Sequence, residues 1–368
     1  MSLTIPFFGI NRQYNSLRKE ILDVTDEVLR TGHVMDGNYT VEFENWLAKK
    51  NHSKYAVTCH SGTQALEIIA HYIRAKRIVE DFPRVAMPTM TYCATANAFI
   101  NAGWEIEFVD CDNYGIMDYG KINDTVLPNA IVGVGLFGSA IDNPRSMRKI
   151  KKEFALTGEH AFFVEDAAQH WLSNNCRRIG DAAAISFDPT KNFNNYANGG
   201  AIVTDDSELY NFAGDYRKND KPSNRSTGTN SRLGEVDCAQ MIVKSRYIDN
   251  WQKRRRHITE YWLDRITASS IRPLIDQSNF DSHCYHKFVI EVDDRDQLKA
   301  HLEQKRIDTR IHYQNPLHEI SMFREYPGPD VLSRASALCR RVLSLPIYPE
   351  LSDLEVEYII DQLLDFYA

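Results

Sequence analysis

At 368 residues, with hydrophobic residues at 43% and charged residues at 25%, the chain has an ordinary composition for a soluble globular enzyme, and room for one large α/β domain or a large domain plus a small one. A net charge of −7 argues against a nucleic-acid partner, which usually meets a basic excess, but allows a locally positive pocket for an anionic small molecule. Seven scattered cysteines without a CxxC pair read as reduced thiols rather than a disulfide framework or metal site, no apolar run reaches membrane length, and Met1–Ile10 lacks a signal-peptide shape; a cytoplasmic protein with no metal and no membrane partner is expected.

In chain order, residues 13–31 place Leu17, Ile21, Val24 and Val28 at helical spacing and predict a helix. A glycine-punctuated loop, GHVMDGN, leads to a second helical stretch, Tyr39–Lys50. Tyr55–His60 reads as a strand running through Ser61-Gly62-Thr63 into the helical QALEIIAHYI. That order suits an anion site, because N–H groups at a helix N-terminus point outward with partial positive charge. A plain N-cap at Ser61 or Thr63 fits the same residues. A strand at Arg84–Met87, the turn Pro88–Tyr92 and a helix, CATANAFINAG, follow, then strands at Glu105–Asp110 and Ala130–Leu136 and a basic amphipathic helix at Asn143–Leu156.

Residues Phe162–Gly200 organise the chain. Phe162–Val164 reads as a buried strand ending in Glu165 and Asp166; Ala182–Phe187 reads as a second, containing Ser186, with Pro189-Thr190-Lys191 just beyond it. A carboxylate leaving one strand and a lysine just past another, both beside a hydroxyl, suit pyridoxal phosphate (PLP): the lysine captures the aldehyde, and the carboxylate keeps the pyridine nitrogen protonated so that the ring acts as an electron sink. Taken alone, Lys191 also fits a solvated surface lysine. Alternating strands and helices predict an α/β fold with a mostly parallel sheet covered by helices on both faces, and Thr63, Tyr92, Asp166 and Ser186 then converge at the carboxyl ends of its strands.

After a helical stretch beyond Asp206, Arg217–Arg232 is polar and reads as an exposed loop. One long helix is expected from about Glu235 to Ile266; its run Lys253–Arg256 suits a solvated face, or attraction of a ligand's diphosphate. Beyond it a smaller α+β domain is expected: a strand near Tyr285–Val292, a helix at Asp294–Lys305, a strand near Thr309–Tyr313 and two terminal helices. The boundary then falls between a PLP-binding domain, 1–265, and a C-terminal domain, 266–368.

VEDAAQ, GDAAAISFDPTKN and GGAIVTDD, in that order and spacing, resemble the core signature of the DegT/DnrJ/StrS family of nucleotide-sugar aminotransferases, which are fold-type-I PLP enzymes. The likeness extends through SGT at Ser61–Thr63, Gly228–Leu233, IHYQNPLH at 311–318 and SLPIYPELSDLEVEYII near the end. The resemblance implies a three-layer αβα domain with Lys191 and Asp166 as catalytic residues. It implies further that Gly62, Thr63, Gln64 and Ser186 bind the cofactor around its phosphate, that Tyr92 stacks on the ring, that Gln169 lies near the ring hydroxyl, and that Asn230 reaches the cofactor of a neighbouring subunit in a homodimer with a shared site. Tyr313 and His318 are candidate substrate contacts. The activity implied is transfer of an amino group from L-glutamate to a 3- or 4-keto-6-deoxyhexose carried on dTDP or UDP, for amino-sugar synthesis such as that of lipopolysaccharide O-antigen. Alternatives are another PLP reaction on the same scaffold (a sugar dehydratase, against which Lys191 argues, or a transaminase of non-sugars) and a non-catalytic PLP-binding regulator. The chain departs from the family pattern at Gly135-Leu136-Phe137-Gly138, where the usual histidine is missing and an imidazole is expected to be absent from the neighbourhood, at Ala197-Asn198, and at Gln314.

Overall fold

The computed structural model describes residues 4–76, 82–122, 127–141, 152, 161–173, 176–221, 227–266, 270–326 and 332–368; nearly all of the helix expected at Asn143–Leu156 lies outside them. Seven strands, β1 (Tyr55–Cys59), β2 (Arg84–Pro88), β3 (Glu105–Val109), β4 (Ala130–Val134), β5 (Phe162–Asp166), β6 (Ala182–Ser186) and β7 (Gly200–Thr204), form one sheet in the order β1-β7-β6-β5-β4-β2-β3. Neighbours are parallel except around β7, which runs antiparallel to both β1 and β6. The strands read as nearly continuous apolar runs because both faces are covered. Ala182 and Ala184 share a buried cluster with Leu66, Ile69 and Phe99, from α3 (Gly62–Lys76) and α4 (Cys93–Asn101). Ala183 and Ile185, one residue out of phase, pack with Phe43 and Leu47 of α2 (Asn38–Lys50) and Met241 of α6 (Glu235–Ser245). Alternate side chains thus enter opposite helical layers, giving the three-layer αβα arrangement. Among the described residues, the further α-helices before the C-terminal region include α1 (Ile10–Thr31), α5 (Ser207–Tyr216) and α7 (Ile248–Arg265).

Beyond α7 a small antiparallel sheet, β10 (Val342–Leu345), β9 (Phe288–Glu291) and β8 (Arg272–Pro273), is accompanied by α8 (Arg295–Gln304), α9 (Ser333–Arg341) and α10 (Asp353–Asp365). Three expectations are corrected. The single helix from Glu235 to Ile266 is two, because the chain turns at Arg246-Tyr247: α6 packs between α1 and α2, whereas α7 packs toward α10 and the small sheet. The strand expected at Thr309–Tyr313 is reduced to one bridge, Arg310 to Ser344, since this segment turns into the active-site cavity. The basic run Lys253–Arg256 is not a uniformly solvated face. Arg255 is buried and donates to the carbonyls of Ile347 and Tyr285, while Arg254 pairs with Asp353 and Arg256 with Glu260 and Asp281. All seven cysteines are free thiols, and no helix among the described residues is long and apolar enough to cross a membrane.

Candidate active site

At the carboxyl ends of the parallel strands a cavity of about 490 Å³ is lined by residues of α3, α4, β5 and β6, by the loops that adjoin them, and by loop residues of the C-terminal region. β5 ends in Asp166, 6% exposed, which faces the cavity; β6 ends in Ser186, and the turn after it carries Asp188, Thr190 and Lys191. Thr95 on α4 donates to Asp166 Oδ2 at 2.7 Å and the Ala168 N–H donates to Oδ1 at 3.2 Å, so both carboxylate oxygens are held before any ligand arrives. Thr95 is itself within 3.1 Å of the Thr91 hydroxyl. The turn bearing Lys191 is closed by Asp188, whose carboxylate accepts from the N–H and hydroxyl of Thr190 and whose carbonyl accepts from the Lys191 N–H. Burial lowers the Lys191 amine from its ordinary pKa, and the charges of Asp166 and Asp188 oppose that shift without cancelling it.

Across the cavity the α3 N-terminus is formed by Ser61, Gly62 and Thr63, with the Ser61 hydroxyl accepting from Gln64 N–H at 3.1 Å. The fit here is close: a Cβ on Gly200 would come within 2.3 Å of the Ser61 carbonyl carbon. A side chain at position 200 would therefore push the anion-site turn away from Ser186. Gln64 Nε2 is buried without a partner.

Behind Asp166, Gln169 accepts from the Phe137 N–H at 2.9 Å and donates to the Tyr313 hydroxyl at 3.1 Å, joining the large sheet to the C-terminal region. The expected absence of an imidazole near Gly135 is corrected by His170. A Cβ at position 135 would lie 2.2 Å from His170 Cγ, so the ring fills the space that a larger residue at 135 would need. His170 Nδ1 accepts from the Gly135 N–H, which leaves Nε2 to donate to Glu165, 3.3 Å away.

Of the site residues expected from sequence, Gly62, Thr63, Tyr92, Asp166, Gln169, Ser186, Lys191 and Tyr313 line this one cavity. Tyr92 is 57% exposed at its rim, with its ring centroid 6.3 Å from that of Tyr313. Gln64, Asn230 and His318 do not line it: Gln64 sits one residue deeper in α3, Asn230 is exposed, and His318 is bonded to the Thr89 hydroxyl at 2.7 Å. Sequence reasoning missed Lys287 and His312 as lining residues. Neither lies near the Phe162–Gly200 stretch: His312 sits in IHYQNPLH directly before Tyr313, a neighbour that could have pointed to it, whereas no local spacing marks Lys287, and the fold brings both there from the C-terminal region. The donor set, one held carboxylate, one amine of lowered pKa, a hydroxyl and a helix N-terminus, fits a phosphorylated pyridine aldehyde.

A model of the DegT/DnrJ/EryC1/StrS aminotransferase family matches residues 15–364. The chain is 32% identical, over 97% of its length and 98% of the relative's, to the dTDP-3-amino-3,6-dideoxy-alpha-D-galactopyranose transaminase of Aneurinibacillus thermoaerophilus. It is 30% identical, over 99% of both chains, to a protein of Geobacillus stearothermophilus named as a pleiotropic regulatory protein. Among solved structures it superimposes with a TM-score of 0.90 and 29% identity, over 99% of each chain, on S. venezuelae DesV in complex with a ketimine intermediate.

Proposed function

The chain belongs to the DegT/DnrJ/EryC1/StrS aminotransferase family, and from that premise we propose that it transfers an amino group from L-glutamate to a keto-sugar nucleotide, specifically a dTDP-linked 3-keto-6-deoxyhexose. The observation that carries this reading is the placement of Lys191 and Asp166 in one cavity at the carboxyl end of the sheet. Pyridoxal phosphate is the cofactor; when bound it supplies an aldehyde for the amine and a cationic ring that draws electrons from the bond being broken.

The protein's own groups have separable tasks. Lys191 is the attachment amine and, once released by the incoming donor, the base that moves the proton from the donor carbon; its lowered pKa keeps a neutral fraction available. Asp166, oriented by Thr95 and the Ala168 N–H, holds the proton on the pyridine nitrogen. Ser186 and the N–H groups of the Ser61–Gln64 turn receive the phosphate. Gln169 is fixed on one side by Phe137 and on the other by Tyr313, so its amide is positioned for the ring hydroxyl. Leu22 and Leu29 on α1, Val34 and Met35 beyond it, and Val41 on α2 expose an apolar surface that supports a homodimer, across which Asn230 serves the partner's cavity.

The preference for a 3-keto acceptor on dTDP rests on the A. thermoaerophilus relative, which is named for a dTDP-linked 3-amino-3,6-dideoxy sugar. The regulatory name of the G. stearothermophilus relative supports a second reading, a PLP-binding protein without turnover. The test incubates cofactor-loaded protein with L-glutamate and a panel of 3- and 4-keto nucleotide sugars, and measures 2-oxoglutarate and amino-sugar nucleotide. Lys191→Ala is expected to abolish both products while leaving the far-ultraviolet dichroism intact. Retained turnover in that variant excludes the mechanism, and absence of product from every sugar favours the regulatory reading.

A further inference from the structure

Lys287 is a second lysine in the same cavity, and the chemistry described so far leaves it without a task. It immediately precedes β9 and is 6% exposed. Its backbone N–H is tied to the Phe137 carbonyl, and the neighbouring Cys284 accepts at its carbonyl from Asn192, the residue after Lys191. The base of the side chain is therefore fixed relative to both Gln169 and Lys191. Its ammonium lies 5.6 Å from the ring centroids of both Phe7 and Phe8, which meet edge to face at 4.8 Å. Among the described residues Nζ has no carboxylate partner and no hydrogen-bond acceptor.

A buried cation without a counter-ion is costly, and aromatic faces compensate by about 0.5–2 kcal/mol, far below what an anion supplies. Burial, and then the charges of Lys191 and Arg255, push the Lys287 amine down to about 7, with Asp188 pulling the other way. Arriving negative charge reverses that balance. No arginine lines the cavity among the described residues, although an amino-acid donor brings a carboxylate one bond from its reacting carbon. The two acids that do line it are committed, Asp166 to Thr95 and Ala168 and Asp188 to its own turn.

We propose that Lys287 is the receptor for the α-carboxylate of the amino donor, and so a specificity-determining residue for the first half of the reaction. His312, beside it in the cavity, serves as a neutral wall. Its Nδ1 lies 2.8 Å from the Ser344 hydroxyl, and burial, with the nearby charges of Lys287, Lys191 and Arg310, holds its pKa down at about 2, so it does not compete as a cation.

The inference rests on the aminotransferase reading, and the experiment separates the two. Binding of maleate, a dicarboxylate that cannot react, is measured calorimetrically on the PLP-loaded wild type, Lys287→Met and Lys287→Arg; no turnover is needed. A charge-assisted hydrogen bond lost from a desolvated site corresponds to about 10–100-fold weaker binding. Lys287→Met should show that loss, Lys287→Arg should recover most of it, and the affinities for PLP and for the nucleotide sugar should stay within about two-fold. In the donor half-reaction, followed by loss of the aldehyde-form absorbance, the wild type should prefer L-glutamate to its α-amide by a similar factor, and Lys287→Met should treat the two alike. Unchanged maleate binding, preserved discrimination against the α-amide, a parallel loss of PLP or sugar-nucleotide affinity, or a wild type that does not bind maleate each overturns the assignment. Absence of amino-sugar product, by contrast, counts against the aminotransferase reading alone.

Discussion

Asp166 illustrates how much of this site is orientation. Its carboxylate is fixed by one hydroxyl and one backbone N–H, and the hydroxyl belongs to Thr95 on a different element. Thr95→Val keeps the shape and removes a bond to a charged acceptor, a loss of about 1.5–3 kcal/mol, so kcat should fall about 10–100-fold while PLP stays bound; Thr95→Ser should retain most of the activity. Steady-state kinetics alongside the cofactor spectrum check this. The neighbouring Glu165 has a structural task. Burial pushes its pKa up, but the His170 hydrogen bond and the N–H groups of Gly180 and Ile179 outweigh burial and hold it below the ordinary carboxylate range. A folded pKa below the unfolded one, about 4.3, means that the contribution is present above that pH and is lost as pH falls through the folded value. Glu165→Gln should therefore flatten the acid limb of the stability profile and lower stability at neutral pH, read from urea midpoints between about pH 3 and 7. Asp166, Ser186 and Lys191 were legible in the sequence because they lie close together along the chain, at the ends of two apolar runs. Lys287 was not, since what makes it a site residue is a contact between regions about a hundred residues apart, while His312 was within reach of the sequence through its neighbour Tyr313 in IHYQNPLH.

Among the elements, α2 begins with Gly37 at its N-cap and no side chain of its own to satisfy the first N–H groups. The missing acceptor comes from Glu235 at the start of α6, whose buried carboxylate takes the N–H groups of Gly37, Tyr39 and Thr40 and the Thr40 hydroxyl. Glu235→Ala strands several buried donors at once and should cost about 3 kcal/mol or more, a fall in the urea midpoint with little change in slope; Glu235→Gln should cost less. Periodicity revealed α2 because Phe43 and Leu47 repeat at helical spacing, but a cap supplied from almost two hundred residues away leaves no local trace. The break between α6 and α7 was hidden for a similar reason. No glycine or proline marks Arg246-Tyr247; the chain turns there because its two halves have different surfaces to cover. The Thr309–Tyr313 segment was misread because an apolar-polar alternation suits a strand, while Tyr313 is drawn instead toward Gln169.

At the scale of the whole molecule, a mostly parallel sheet covered by helices followed from the alternation of strands and helices, whereas the strand order, with β7 antiparallel between β1 and β6, and the independence of the two halves do not follow from it. The largest apolar cluster runs from the central sheet through Leu274, Val289, Leu317, Phe323, Leu338 and Val342 without a break. Arg12 on α1 meets Glu355 on α10 through two hydrogen bonds of 2.7 Å, closing the chain's beginning onto its end. A fragment ending at residue 265 should lack a cooperative thermal transition and fail to retain PLP; a sharp melt would show that its core is self-sufficient. Finally, Glu165 and Asp166 are consecutive on β5 yet face away from each other, one toward His170 and one toward the cofactor cavity. That parity makes the strand intolerant of odd changes in length: inserting or deleting one residue upstream would exchange the loop anchor with the ring partner and leave both tasks undone. Length changes in this segment are therefore constrained to steps of two, and the paired acids act as a built-in check on its reading frame in space.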